Sequence, residues 1–398
     1  MKNICFITQC SLPIPTTKGG AVETLVEYIL DENEKNAHYN ITVISIGDER
    51  AEEKAKRYKY TKFIYIEKAN HMFNNLLGIA YRILKHLNIY IPFSIEFIDC
   101  MRELKRLQKQ DMYIYEAGPT TQLLLLNRII PQNKLLVHLH WDGMGTKKQN
   151  ECFKSLIAIS DYIGGRWKSA TGCKDDKVKE FYNCANIERF QRDSSEDEKI
   201  TLKQQLGIPL NNKVLIFTGR IVKDKGVREL LRSFELIKRT DISLIVIGSA
   251  NFGAKSNTSY EKEVAELIKN SNKNIVFTGY VHQTELYKYY NIADISIMPS
   301  LFQEPAGLVA IEAQATGTPL IATNVGGLGE YTNPEGTVLI EKDDKLVYNL
   351  ANAIEDLLDD EKKLAIMSIS NKEFAKKFNT KWYFDKFVNI VDEAIKEN

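Results

Sequence analysis

The chain has 398 residues, of which 44% are hydrophobic and 26% charged, and its formal net charge is +1. The composition is typical of a globular protein with a packed core, and the length fits two domains better than one. The near-zero net charge gives no indication of a nucleic-acid partner. No run of about 18 apolar residues occurs, so we expect no membrane-spanning helix.

The six cysteines form no CxxC pair and show no zinc-type spacing, a pattern that favours a reducing compartment. The first residues lack the pattern of a signal peptide. We therefore expect a cytoplasmic protein.

Charge is distributed unevenly along the chain. Residues 1–195 carry 28 Lys and Arg against 23 Asp and Glu, whereas the remainder carries 25 against 29. The positive excess is typical of a surface that meets the anionic inner face of a membrane, and equally of ordinary scatter in surface charge. Peripheral membrane contact through the N-terminal half therefore stays open.

The N-terminal half alternates short apolar runs with segments at helical spacing, an order that predicts a parallel sheet. Helices are predicted from about Ala21 and over 72–87 and 94–109. One of them has a face at helical spacing made of Leu76, Leu77, Ala80, Ile83, Leu84 and Leu87. The predicted strands are 4–8, 41–46, 63–66, 112–115, 135–139, 156–159 and 178–183.

Two features of this half are candidates for ligand binding. Gly19 and Gly20 lie between a strand and a helix, where backbone N–H groups can approach a ligand closely; a plain flexible turn is the alternative. His138 and His140 alternate with Leu139 at the end of a strand, so they point to the same side if the strand continues that far. A buried histidine without a direct role is the alternative there.

The C-terminal half repeats the strand–helix order and predicts a second parallel sheet. Its predicted strands are 214–218, 244–247, 275–278, 293–298 and 319–322, and its predicted helices are 227–238, 259–270, 284–290, 344–359, 360–378 and 381–396. The polar stretch before it reads as a linker with a short lead-in helix. We therefore predict an α/β protein with two doubly wound domains over 1–192 and 213–378, a linker over 193–212 and a C-terminal helical segment over 379–398.

Cations and carboxylates follow two strands of the second sheet. Arg220 and Lys225 come after the first strand, where two permanent cations suit a diphosphate. Glu304 and Glu312 stand eight positions apart beyond the fourth strand, and a helix is predicted to begin between them near Ala306. A helix start favours phosphate, so this pattern suggests a nucleotide sugar. Either glutamate taken alone could be a solvated residue.

This combination of residues resembles glycosyltransferase family 4, the retaining enzymes also known as glycosyl transferases group 1. The resembling motifs are the E-x7-E pair Glu304 and Glu312, the element Gly219, Arg220, Lys225 and Gly226, and the loop Gly19 and Gly20. The resemblance implies the GT-B fold, in which two Rossmann-like domains face a central cleft.

The resemblance also implies roles for individual residues. Glu312 would hold the ribose hydroxyls of the nucleotide, and Glu304 would contact hydroxyls of the donor sugar. Arg220 and Lys225 would neutralise the diphosphate, helped by the backbone amides of a helix start. His140 would lie near the donor sugar, and His138 is the second candidate for that position. The amides of that helix start belong to Gly307, Leu308 and Val309.

The expected reaction is the retaining transfer of a sugar from a UDP-sugar to a glycan or lipid-linked saccharide during surface polysaccharide biosynthesis. No DxD motif occurs, so we expect no metal and no other cofactor. Two alternatives remain at this stage. One is a nucleotide-sugar epimerase on the same fold, and the other is a non-catalytic partner of a transferase.

Overall fold

The computed structural model describes residues 1–18, 20–68, 71–87, 89–116, 120–250 and 258–397. The chain divides into two compact units. The first comprises residues 1–183 with 380–398, and the second comprises residues 184–379. Gly19 lies outside the described residues, so the first half of the predicted Gly19–Gly20 loop has no structural description.

The first unit is built on a parallel sheet with seven strands in the described part of the chain. The strands are β1 (Lys2–Ile7), β2 (Tyr39–Ile46), β3 (Thr61–Ile66), β4 (Met112–Glu116), β5 (Leu135–Leu139), β6 (Ser155–Ala158) and β7 (Val178–Glu180). They lie in the order β3-β2-β1-β4-β5-β6-β7. The apolar strands β4 and β5 are buried along their whole length, as expected for a sheet covered on both faces.

Helices connect these strands. They are α1 (Ala21–Asn36), α2 (Glu49–Ala55), α3 (His71–His86), α4 (Ile95–Arg106), α5 (Leu123–Leu126), α6 (Lys147–Asn150) and α7 (Asp161–Thr171). Ser160 is the N-cap of α7, because its side chain accepts a hydrogen bond from the Ile163 N–H at the start of the helix.

The second unit holds a parallel sheet with six strands among the residues that the structure describes. The strands are β8 (Lys213–Thr218), β9 (Ile242–Ile247), β10 (Asn274–Gly279), β11 (Ile295–Met298), β12 (Leu320–Thr323) and β13 (Thr337–Ile340). Their order is β10-β9-β8-β11-β12-β13. Because β8 and β11 are neighbours, the loops that leave their carboxyl ends meet at one edge of the sheet.

The helices of this unit are α8 (Ile187–Phe190), α9 (Glu196–Gln205), α10 (Val227–Leu236), α11 (Ser259–Asn270), α12 (Leu286–Asn291), α13 (Leu308–Thr316), α14 (Leu346–Leu358) and α15 (Glu361–Ala375). The last helix, α16 (Thr380–Lys396), belongs to the first unit. There the ring of Phe387 stacks on Phe6 with 5.5 Å between centroids. The Tyr39 hydroxyl also donates to Asp392 Oδ1 at 2.7 Å.

The predicted fold class is confirmed, and the differences concern element ends and short elements. The helix predicted near Ala306 begins at Leu308, because Gly307 is its N-cap. The strand predicted over 178–183 ends at Glu180. Helix α2 was not predicted because only one of its residues, Ala51, is buried, so it has no apolar periodicity. Strand β13 was missed because it is only four residues long and partly exposed.

Within the described residues, no helix has both the length and the apolar character needed to cross a bilayer.

Candidate active site

In the second unit, the loops after β8 and β11 bring a cation and a carboxylate together. Lys225 Nζ donates to Glu304 Oε1 at 2.5 Å, and Ser300 Oγ donates to the same oxygen at 2.5 Å. The ammonium group also lies 4.8 Å from the centre of the Phe302 ring. Glu304 is only 4% exposed. A charge-assisted pair with a second donor is therefore fixed beside the carboxyl ends of two central strands.

Two glycines allow close backbone contacts in the loops around Glu304. Gly226 has φ +70°, and a Cβ there would overlap the carbonyl oxygen of Pro299. Gly326 has φ +58°, and a Cβ there would overlap the backbone of Glu304 itself. The N–H of Gly327 donates to the Glu304 carbonyl at 2.7 Å. Glycine is required at both positions because only it combines a positive φ with such close backbone contact.

Arg220 also lies beyond the end of β8, but its side chain is exposed. Among the described residues, none forms an ion pair with its guanidinium group. The structure therefore does not bring Arg220 into the Lys225–Glu304 pair, and it leaves a permanent cation on the surface at the same edge of the sheet.

Glu312 lies in the second turn of α13, as the sequence predicts, and is 7% exposed. Burial raises the pKa of its carboxyl group to about 7, against the opposing effects of a hydrogen bond from Gln283 and the charge of Arg189. Gln283 Nε2 donates to Glu312 Oε1 at 3.3 Å. Glu312 is therefore a buried acid that changes its charge near neutral pH.

The N-terminus of α13 is formed by Gly307, Leu308 and Val309. Gly307 is the N-cap and offers no side chain to satisfy the first N–H groups of the helix. Such groups, together with the positive end of the helix dipole, favour an anion.

In the first unit, three titratable side chains meet at the ends of β4 and β5. His140 Nε2 lies 2.6 Å from Glu116 Oε2, and His138 Nδ1 lies 3.1 Å from the same oxygen. The two imidazole rings are 3.9 Å apart between centroids. All three side chains are buried or nearly so. The prediction that His138 and His140 point to the same side is thus confirmed.

The pKa values of this cluster follow from burial and charge. Burial alone would raise the pKa of Glu116, but the charge of His138 and hydrogen bonds from both histidines lower it to about 2. Burial lowers the pKa of His140, helped by His138 and opposed by Glu116. At neutral pH the cluster is therefore an ionised carboxylate that holds a neutral His140 in one orientation.

Glu23 and Gly20 lie close to the same cluster. Burial raises the pKa of the Glu23 carboxyl group. The charge of His140 lowers this pKa by a smaller amount, and the charge of Glu116 raises it slightly. Gly20 is the N-cap of α1 with φ +119°, and a Cβ there would overlap the Glu23 carboxylate. The described half of the predicted glycine loop is thus packed against an acidic side chain.

Sequence reasoning did not identify Glu116 or Glu23. Glu116 is the last residue of an apolar strand next to β5, so the rule that singled out His138 and His140 would have found it. Glu23 carries no such signal, since it reads as an ordinary first-turn acid of a helix.

The trio Glu116, His138 and His140 could in principle hold a metal ion, because one ligand atom from each lies within 4.8 Å of the others. Two histidines and a carboxylate suit zinc or another first-row transition metal. The same atoms are engaged in hydrogen bonds to one another. The expectation that no metal is needed stays a prediction.

Residues 198–374 match the family described as "Glycosyl transferases group 1". An uncharacterized glycosyltransferase of Methanocaldococcus jannaschii is 34% identical over 181 residues, which cover 45% of each chain. The capsular polysaccharide biosynthesis glycosyltransferase CapM of Staphylococcus aureus is 29% identical over 256 residues, which cover 62% of this chain and 63% of CapM. The chain thus spans less than two thirds of either relative.

The crystal structure of Anabaena HepE in complex with UDP-glucose is similar over 99% of this chain and 100% of HepE, with a TM-score of 0.74 and 18% sequence identity. This likeness concerns the fold. Residues 198–374 are thus similar to the glycosyl transferases group 1 family, and the two Rossmann-like units of the chain have the GT-B fold.

Proposed function

We propose that this protein is a retaining glycosyltransferase that transfers a sugar from a UDP-sugar to a glycan or a lipid-linked saccharide in surface polysaccharide biosynthesis. The observation that carries the proposal is the pair of the partly buried Lys225 with the buried Glu304, which precedes α13, together with Glu312 on that helix. This arrangement offers a cation and helix amides to a diphosphate and carboxylates to hydroxyl groups.

In this proposal the protein acts mainly by electrostatic stabilisation. Cleavage of the anomeric C–O bond leaves negative charge on the nucleoside diphosphate, and Lys225, Arg220 and the amides of Gly307, Leu308 and Val309 receive it. With three sources of positive potential for one leaving group, no metal is required. Glu304 is held by Lys225 and Ser300. It therefore suits binding of sugar hydroxyls better than the role of a free nucleophile.

The remaining roles concern binding. Glu312 accepts hydrogen bonds from the ribose hydroxyls, and Gly20 brings the start of α1 close to the donor. His140, fixed by Glu116, contacts the donor sugar. The choice of a UDP-sugar is supported by the UDP-glucose complex of HepE. The choice of polysaccharide biosynthesis is supported by the name of CapM.

Calorimetric titration of the protein with UDP, GDP and ADP, with and without EDTA, tests the donor site. We expect saturable binding of UDP that EDTA does not change, and weaker binding of the other two nucleotides. Binding that EDTA abolishes would contradict the metal-free mechanism. Failure to bind any of the three would contradict the proposed donor site.

The reaction itself is tested by incubating the protein with UDP-sugars and saccharide acceptors and determining the anomeric configuration of the product by NMR. We expect the configuration of the donor to be kept. An inverted product would contradict the retaining mechanism, and conversion of the donor to its epimer without an acceptor would contradict the transfer reaction.

A further inference from the structure

Helix α3 of the first unit presents a row of large apolar side chains to solvent. Their exposed fractions lie between 47% for Ile79 and 65% for Leu87. They recur at every third or fourth position and so follow one side of the helix. The row, called here the α3 stripe, consists of Met72, Phe73, Leu76, Ile79, Ile83 and Leu87.

Polar contacts on the opposite side hold α3 in this orientation. Asn74 Nδ2 donates to both carboxylate oxygens of Glu96 at 2.8 Å, and its Oδ1 accepts from the Ile95 N–H at 2.9 Å. Seven residues further on, the Tyr81 hydroxyl hydrogen-bonds to Thr121 Oγ1. A surface helix ordinarily buries its apolar stripe and exposes its polar side, so the exposure of the α3 stripe departs from the usual arrangement.

The sequence around the α3 stripe carries no negative charge. Residues 68–95 contain no Asp or Glu, although 52 of the 398 residues of the chain are acidic. Lys68, Arg82 and Lys85 are the basic residues of this segment, and Arg82 is exposed. An exposed apolar row in a segment that is only basic is the pattern of a helix that binds at an anionic bilayer surface.

We propose that α3 docks in the plane of an anionic lipid bilayer, with the α3 stripe at the boundary between head groups and acyl chains. The helix has 16 residues, which gives a length of about 24 Å. It lies along the surface because, among the described residues, no helix could cross a bilayer. The exposed side chain of Arg82 then meets anionic head groups, which attract basic side chains near the surface.

Charge favours an anionic bilayer as the partner of the α3 stripe over a second copy of the chain or another protein. A second copy of the chain docked stripe to stripe would bring the positive charges of the two Arg82 side chains towards each other, without an acid among residues 68–95 to compensate. A protein partner would need an acidic rim around an apolar groove. A bilayer with anionic lipids supplies apolar and acidic chemistry together.

This surface is independent of the proposed donor site, because no residue of the α3 stripe belongs to that site. It would bring the enzyme to the lipid surface where a lipid-linked acceptor resides. Vesicle binding and nucleotide binding can therefore fail separately, and each result bears on its own proposal.

The test is sedimentation of the whole protein with phosphatidylcholine vesicles, with and without about 30% phosphatidylglycerol. We expect binding to the anionic vesicles that weakens between about 0.1 M and about 1 M NaCl, because salt screens the attraction. The double variant Ile79→Gln/Ile83→Gln should bind at least about tenfold more weakly, since two apolar side chains no longer enter the lipid.

Ile366 and Ile369 on α15 provide the matched control, because they are also exposed, at 64% and 73%. The variant Ile366→Gln/Ile369→Gln should bind vesicles like the wild type. The proposal is overturned if the wild type does not bind anionic vesicles at low salt, or if both double variants bind these vesicles equally well. A concentration-dependent dimer that only the stripe variant abolishes, measured by light scattering, would overturn it in favour of self-association.

Discussion

Lys225 Nζ lies 2.5 Å from Glu304 Oε1, although 79 positions separate the two residues in the chain. The carboxylate is buried and receives a second hydrogen bond from Ser300. A buried ion pair is costly to break from one side, because the remaining charge has no compensation. In the proposed donor complex the diphosphate would compete with Glu304 for the ammonium group of Lys225, so we expect ligand binding and the position of the carboxylate to be coupled.

Replacing Lys225 should therefore affect catalysis and stability by different routes. We expect Lys225→Met to lower kcat by about 10²–10³, because a fixed cation at the leaving group is lost. It should also lower the thermal midpoint, because Glu304 is left buried without its partner. The double variant Lys225→Met/Glu304→Gln should regain stability but not activity.

The measurements are nucleotide release from the donor and thermal unfolding. Lys223→Met, an exposed lysine of the same turn, serves as the control and should behave as the wild type. Equal activity of Lys225→Met and Lys223→Met would contradict the assignment of Lys225 to the active site.

Gly326 offers a test of how tightly the loop backbone holds Glu304. Gly326→Ala places a side chain at φ +58° and against the Glu304 backbone. We expect a loss of roughly 1–3 kcal/mol in the free energy of unfolding and weaker binding of the donor, since Glu304 must shift.

The matched control for this variant is Gly329→Ala. There the nearest atom to the new Cβ is Asn324 Oδ1 at 3.8 Å, and no positive φ is required. Urea unfolding measures the stability of both variants, and calorimetry measures their affinity for the donor. If the two variants lost stability equally, the contact between Gly326 and Glu304 would have no special role.

The sequence predicts the elements that carry these residues better than the contacts between them. Lys225 and Glu304 each follow an apolar strand, which is a local signal. Their direct pairing depends on β8 and β11 being neighbours in the sheet, and no local pattern encodes that order. Glu116 carries a local signal as the last residue of an apolar strand, but its contact with both histidines depends in the same way on β4 and β5 being neighbours in the sheet.

The orientation of α3 illustrates the same limit. The spacing of Leu76, Ile83 and Leu87 predicts an apolar side on this helix, but periodicity does not say whether that side faces the protein or the solvent. The answer comes from Asn74 and Tyr81, whose hydrogen bonds to distant residues hold the opposite side against the first unit.

Glu312 should make the protein less stable as the pH rises. Its pKa in the folded state, about 7, lies above the ordinary value of 4.5. The folded state therefore binds more protons than the unfolded state between these values. The contribution of Glu312 to stability is fully present below pH 4.5 and is lost as the pH rises through 7, a difference of roughly 3 kcal/mol.

Glu312→Gln keeps the shape of the protonated acid, so we expect a higher thermal midpoint than the wild type at about pH 8 and a similar one at about pH 5. The same variant should bind UDP more weakly, because an amide oxygen is a poorer acceptor for ribose hydroxyls than a carboxylate. Stability and binding would thus change in opposite directions. A variant that is less stable at the higher pH would contradict the raised pKa of Glu312.

Glu116 is expected to act as a positioning residue for His140. Its carboxylate raises the pKa of His140 against the effects of burial and His138, so Glu116→Gln should lower that pKa further. Nitrogen-detected NMR titration of the imidazole rings measures this directly. Glu116→Gln should also lower donor turnover with little change in nucleotide affinity, since the nucleotide-binding residues proposed above lie in the second unit.

Stability against acid provides the second readout. The pKa of Glu116 is about 2 in the folded state, below the ordinary value for a glutamate, so its contribution to stability is present above pH 4.5 and is lost as the pH falls towards 2. Glu116→Gln should therefore unfold more easily than the wild type at neutral pH and differ less from it in acid. Glu103→Gln, a partly exposed glutamate on α4 that pairs with Arg106, is the control. An unchanged His140 titration in Glu116→Gln would show that the carboxylate does not control the ring, whatever happens to stability.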